Sequence, residues 1–208
     1  MKNIVLTAAL LAASAVSAQA ATIVTNGSFE STPTPLTATS SWALFDSIEG
    51  WTAGAGEKIE VQSDPTLSVI DAQDGSNYVE LHSNGLMTMS QVISLGAGRH
   101  ELSFFYSTRE NTVGDNDMSF SIAGLVDGAV LDAPNLDLPR GSWTEIAASF
   151  TVLTAGDYTL SFSSLTGPNE GRGALIDNVS VAAVPVPAAG LLLLTALGGA
   201  AAMRRKKG

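Results

Sequence analysis

Few side chains in this sequence are equipped for covalent chemistry. Cysteine is absent, which removes thiolate nucleophiles, thiolate metal sites and disulfides. The two histidines, His82 and His100, stand neither in H-E-x-x-H nor at any other metal-ligand spacing. There is no G-x-S-x-G elbow and no phosphate-binding loop. The glycine pairs Gly54/Gly56 and Gly96/Gly98 lead toward strand-like sequence, where a nucleotide site needs a helix. What remains is 20 carboxylates. A glycosidase needs only two at a suitable separation, but no pair stands out by spacing. The chain therefore reads as non-catalytic, with a polysaccharide hydrolase or lyase as an alternative.

The elements around these residues fall into three segments. Residues 1–20 carry Lys2, an apolar run from Ile4 to Ala13 and the small-residue exit Ala18, Gln19, Ala20, the pattern of a cleaved secretory signal. Residues 184–208 begin Val184, Pro185, Val186, Pro187, Ala188, continue as an uncharged stretch to Met203, and end in Arg204, Arg205, Lys206, Lys207 and Gly208. That stretch reads as a short transmembrane helix with a basic stop on the cytoplasmic side. Everything between the two apolar segments is then outside the inner membrane. All 20 carboxylates lie in residues 21–183, where the only bases are Lys58, Arg99, Arg109, Arg140 and Arg172, a net charge of −15. Such a surface repels nucleic acid and anionic lipid.

Within residues 21–183 the hydrophobic pattern has a period of two, broken by Gly, Asn, Asp, Ser and Pro about every ten residues. Leu102, Phe104 and Tyr106 fall on one strand face, and Ser103, Phe105 and Ser107 on the other. The spacing A-G-x-x-x-L-S-F occurs from Ala97 and again from Ala155, which predicts two similar hairpins. Further strands are expected over 22–24, 59–61, 77–81, 87–95, 118–122, 144–152 and 175–181. Many short strands in a 163-residue segment predict an all-β, antiparallel jelly-roll β-sandwich. His100 and Tyr158 occupy equivalent inward positions, and Trp51 and Trp143 are expected in the core. The oxygen-rich stretches from Asp71 to Asn77 and from Asp115 to Asp117 read as solvated turns.

Two resemblances add to this reading. The tail, with its Pro motif, apolar helix and terminal Arg/Lys cluster in that order, resembles the PEP-CTERM class of sorting tails. Val184, Pro185, Val186, Pro187 and Ala188 match its Val-Pro-Leu-Pro-Ala variant except at Val186. The resemblance implies recognition by an exosortase, cleavage near the Pro motif, and delivery to the surface or matrix of a Gram-negative bacterium; a plain uncut anchor is the alternative.

The middle segment opens with Asn26, Gly27, Ser28, Phe29, Glu30, continues through Gly50, Trp51, and closes with Ile176, Asp177, Asn178, Val179. This series resembles the galactose-binding-like jelly rolls, including several carbohydrate-binding modules. It implies a structural Ca²⁺ held by Glu30 and Asp177; the alternative is that both carboxylates take loop amides without metal. It also implies a carbohydrate site built on an aromatic platform, for which Phe105, with Arg109 as its polar partner, and Trp42 are the candidates. The expected partner is the cell's own exopolysaccharide or a cell-surface glycan. A structural or adhesive matrix protein acting through protein contacts is the rival reading.

Overall fold

The computed structural model describes residues 22–37, 41–64, 70–82, 85–109, 116–131, 141–165 and 171–185. The expected signal segment, Val186, Pro187, Ala188, the apolar stretch and Arg204, Arg205, Lys206 and Lys207 lie outside the described residues. No helix among the described residues is long and apolar enough to cross a membrane. Residues 21–184 form one compact unit.

Among the described residues, twelve strands make two six-stranded antiparallel sheets. The first sheet contains β1 (Trp42–Phe45), β4 (Ile59–Ser63), β5 (Asn77–Glu80), β12 (Ala174–Ala183), β7 (Gly98–Thr108) and β10 (Thr144–Val152), in that spatial order. The second contains β2 (Ser47–Ile48), β3 (Trp51–Ala53), β6 (Thr88–Leu95), β11 (Gly156–Ser164), β8 (Met118–Ile122) and β9 (Val126–Val130). The alternation read from the sequence is the packing rule: Leu102, Phe104 and Tyr106 of β7 are fully buried between the sheets, while Phe105 points to the other side and stays half-buried. Phe104 meets Phe120 and Phe162 edge-on, with ring centroids 5.2 and 5.0 Å apart, and Trp51 packs between Phe29 and Phe162. His100, 3 % exposed, stacks on Phe150 inside the same core.

The two expected hairpins are instead arches. β6 lies in the second sheet and β7 in the first, while β10 and β11 make the same crossing in reverse. A hairpin would put both strands of each pair in one sheet. Here Ile93 and Leu95 of β6, Leu102 and Phe104 of β7, and their counterparts Phe150, Val152, Leu160 and Phe162 all face the common core, which requires the chain to turn the corner of the sandwich. The arches then lie side by side, β7 on β10 and β6 on β11. Residues 22–24, expected as a strand, instead run beside β12, with Ile23 N–H donating to the Val181 carbonyl.

The opening and closing motifs meet. Val179 N–H donates to the Gly27 carbonyl, and a Cβ on residue 27 would lie 2.1 Å from the Val179 carbonyl oxygen, so only glycine fits there. β12 has a register break between Asp177 and Ser180, where Asn178 adopts the left-handed conformation at φ 47°. Asn26 and Phe29 are left-handed as well, at φ 53° and 57°. Asparagine tolerates that region, but for a bulky ring it is a strained conformation, and full burial of Phe29 holds it there.

Candidate functional site

Three carboxylates clamp the segment from Ala72 to Asn77. Glu30 Oε1 accepts the amides of Ser76 and Asn77 at 2.8 and 2.7 Å, Asp64 Oδ1 accepts Ala72 N–H, and Asp177 Oδ2 accepts Gln73 and Asp74 N–H at 2.7 and 3.0 Å. Asp177 Oδ1 takes Asn178 N–H. The two residues that the family resemblance marks for a cation thus grip one loop. A hard cation needs oxygen lone pairs, and those of Asp177 face three N–H groups. Among the described residues no group of three or more acidic or histidine side chains is placed to hold a metal ion. Asp177 is fully buried, and burial pushes its carboxyl up to about 7 against the lowering pull of these amides.

This clamped loop stands over the outer face of the first sheet. Period-two phasing and strand register put Trp42, Gln62, Phe105 and Glu145 on that face, with Asp177 paired to Phe105 on one side and Glu145 on the other. Trp42, 49 % exposed, and Phe105 share the face but sit four strands apart, about 19 Å at ~4.8 Å per strand.

A residue that sequence reasoning placed in the core joins them. Trp143 is only half-buried, because it precedes β10 in phase with exposed Glu145 and out of phase with the inward residues Ile146, Ala148 and Phe150. Its ring lies edge-on to Tyr78 at 5.9 Å, and its indole N–H donates to the Asp71 carbonyl at 2.8 Å, which fixes the ring across the sheet. The parity signal was present in the sequence; position at a strand start outweighed it.

Beneath this aromatic cover the face is polar and closed. Arg109, expected at the rim of a sugar site, is 9 % exposed; its guanidinium pairs with Glu80 and donates to the Gly171 carbonyl at 3.0 Å. Gln62 links Glu80 to Glu60, the residue directly across the strand pair, and Gly173 N–H donates to Glu80 Oε1. Burial pushes the Glu80 carboxyl up, Arg109 pulls it down, and Glu60 opposes that pull. Asn116, expected in a solvated turn, is fully buried: it accepts Arg109 N–H through Oδ1 and the Tyr106 hydroxyl through its carbonyl, supplying both with partners the core lacks. The Tyr78 hydroxyl, also buried, has no hydrogen-bond partner among the described residues.

No family model matches the chain. Halomucin of Haloquadratum walsbyi is 31 % identical over 172 residues, which is 80 % of this chain but 2 % of halomucin; the chain thus spans a small fraction of that relative. Among solved structures, TmCBM61 in complex with β-1,4-galactotriose has a TM-score of 0.47 and 16 % identity, covering 79 % of this chain and 99 % of that one. A family 35 carbohydrate binding module from Clostridium thermocellum has a TM-score of 0.42 and 14 % identity, over 69 % of this chain and 99 % of the module.

Proposed function

We propose that the β-sandwich is a non-catalytic glycan-binding domain of an exported protein, with exopolysaccharide or a cell-surface glycan as its ligand. The observation that carries this reading is the half-exposed pair Phe105 and Trp143 on one sheet face, next to Ser103 and Glu145 and bordered by the clamped loop. Flat aromatic faces take the apolar side of a pyranose, and hydroxyls and carboxylates at the rim take its hydroxyl groups. Trp42 supplies a second, separate contact on the same face. Arg109 serves this site as support from below. Phe105→Ala and Trp42→Ala each weaken retention of the protein on immobilised exopolysaccharide, by about tenfold for Phe105. Unchanged elution of the wild type with and without polysaccharide favours the structural or adhesive reading, and release of reducing ends or unsaturated products favours an enzyme.

Export, sorting and metal binding complete the proposal. Val184, the first residue of the sorting motif, still belongs to the domain edge, its N–H donating to the Arg99 carbonyl at 2.9 Å. Processing by an exosortase beyond it predicts that mass spectrometry finds a mature C-terminus lacking Arg204, Arg205, Lys206 and Lys207; an intact tail contradicts it. Calcium at Glu30 and Asp177 shares these carboxylates with the loop amides they already hold. It predicts that EDTA lowers the Tm of the wild type with little further effect on Asp177→Ala, and equal melting with and without chelator removes the ion.

A further inference from the structure

With the outer face of the first sheet as the glycan site, we propose that it selects glycans bearing free ammonium groups, such as hexosamines without their N-acetyl group, over neutral and uronic-acid glycans. The selectivity rests on that face being the site, and its chemistry follows from what surrounds the rings. Trp143 and Phe105 are half-exposed rings, and a cation is drawn to an aromatic face by the ring quadrupole, most strongly to Trp. Glu145 is exposed, pairs in register with Phe105, and makes no hydrogen bond or ion pair among the described residues. Asp71, whose carbonyl fixes the Trp143 indole, and Asp74, held by the Ser28 hydroxyl at 2.5 Å, are both exposed on the bordering loop.

Among the described residues, the cations do not offset these charges at the shelf. Arg109 lies beneath the face on Glu80, and Lys58 pairs with Asp46. Arg99 lies six residues along β7 from Phe105, about 20 Å away at ~3.3 Å per residue. Arg172, just before β12, is exposed and already engaged. Arg140 is outside the described residues. A second feature marks the same spot: Tyr78, whose buried hydroxyl has no hydrogen-bond partner among the described residues, packs its ring edge-on to Trp143. An ammonium on the sugar thus meets π-faces and a free carboxylate together. A uronate places like charge against Glu145 and Asp71, and a neutral sugar gains stacking alone.

The test is calorimetric titration of the full chain, in mildly acidic buffer that keeps the amine protonated, with a glucosamine oligosaccharide, its N-acetylated counterpart and an oligogalacturonate. The amine-bearing oligosaccharide binds about tenfold or more tighter than the N-acetylated one, more weakly as salt rises, and oligogalacturonate gives no measurable binding. Glu145→Gln brings the first two affinities together while keeping the weaker one. Asp157→Asn, on the outer face of the second sheet, leaves the preference unchanged. Equal or reversed preference, uronate binding, or a preference lost as much in Asp157→Asn as in Glu145→Gln overturns the selectivity, the last by assigning it to bulk charge. Binding of none of the three, nor of any other glycan, overturns instead the reading of the face as a glycan site.

Discussion

Arg109→Ala lowers the unfolding free energy by about 3–5 kcal/mol near neutral pH, the cost of breaking a buried ion pair from one side. Glu80 is fully buried and lies directly across from Glu60, so removing the guanidinium leaves two neighbouring carboxylates without the charge that holds Glu80 ionised. The Gly171 carbonyl loses a donor as well. Glu80 relieves the loss by taking up a proton, so the deficit shrinks toward about pH 5. Replacing both partners, Arg109→Met with Glu80→Leu, costs much less than either single change, because no buried charge is then stranded. Urea denaturation of the three variants at two pH values checks this. A loss below about 1 kcal/mol for Arg109→Ala, the range of an exposed pair, contradicts the buried placement.

Stability in the presence of EDTA falls as pH rises from about 4 to about 8, by up to about 4 kcal/mol from Asp177. Its carboxyl is pushed from 3.8 to about 7, chiefly by burial, and Asp64 is shifted in the same direction by burial. Between the unfolded and folded values the folded protein holds protons that the unfolded chain has released. Each step up in pH therefore favours unfolding, until the folded groups have also ionised and the curve flattens. The −15 charge of the middle segment acts in the same sense, since self-repulsion grows as carboxylates ionise. Thermal melts across this range show the highest Tm at the acidic end. A Tm that climbs steadily with pH, as in a protein whose carboxylates are stabilised by ion pairs, contradicts this account of Asp177.

How much of this was legible in the sequence depended on the range of the interaction. Alternation along β7, β10 and β11 is local, and it correctly set Leu102, Phe104 and Phe162 inward and Phe105 outward. The expected strands 59–61, 118–122 and 144–152 all formed, but β1, β2, β3 and β9 are two to five residues long and too short for a periodic signal. Repetition of A-G-x-x-x-L-S-F marked two equivalent corners without telling an arch from a hairpin, because that choice depends on which sheet each strand joins. Arg109 looked available because nothing near it in sequence pairs with it; its partner Glu80 comes from a strand 29 residues away, brought into reach through β12. Trp143 shows the opposite failure, for its parity with Glu145 was readable and only its lean across the sheet toward Tyr78 was not.

The central claim is that Trp143 and Phe105 form a glycan shelf. Affinity electrophoresis of the wild type and of Trp143→Ala and Phe105→Ala, in gels containing neutral, acidic or amine-bearing polysaccharide, tests it most directly. The wild type is retarded in at least one of these gels, and each substitution removes most of the retardation while the protein keeps its folded circular dichroism spectrum. Wild-type mobility that is identical in every gel, or retardation that survives in both folded variants, contradicts the claim.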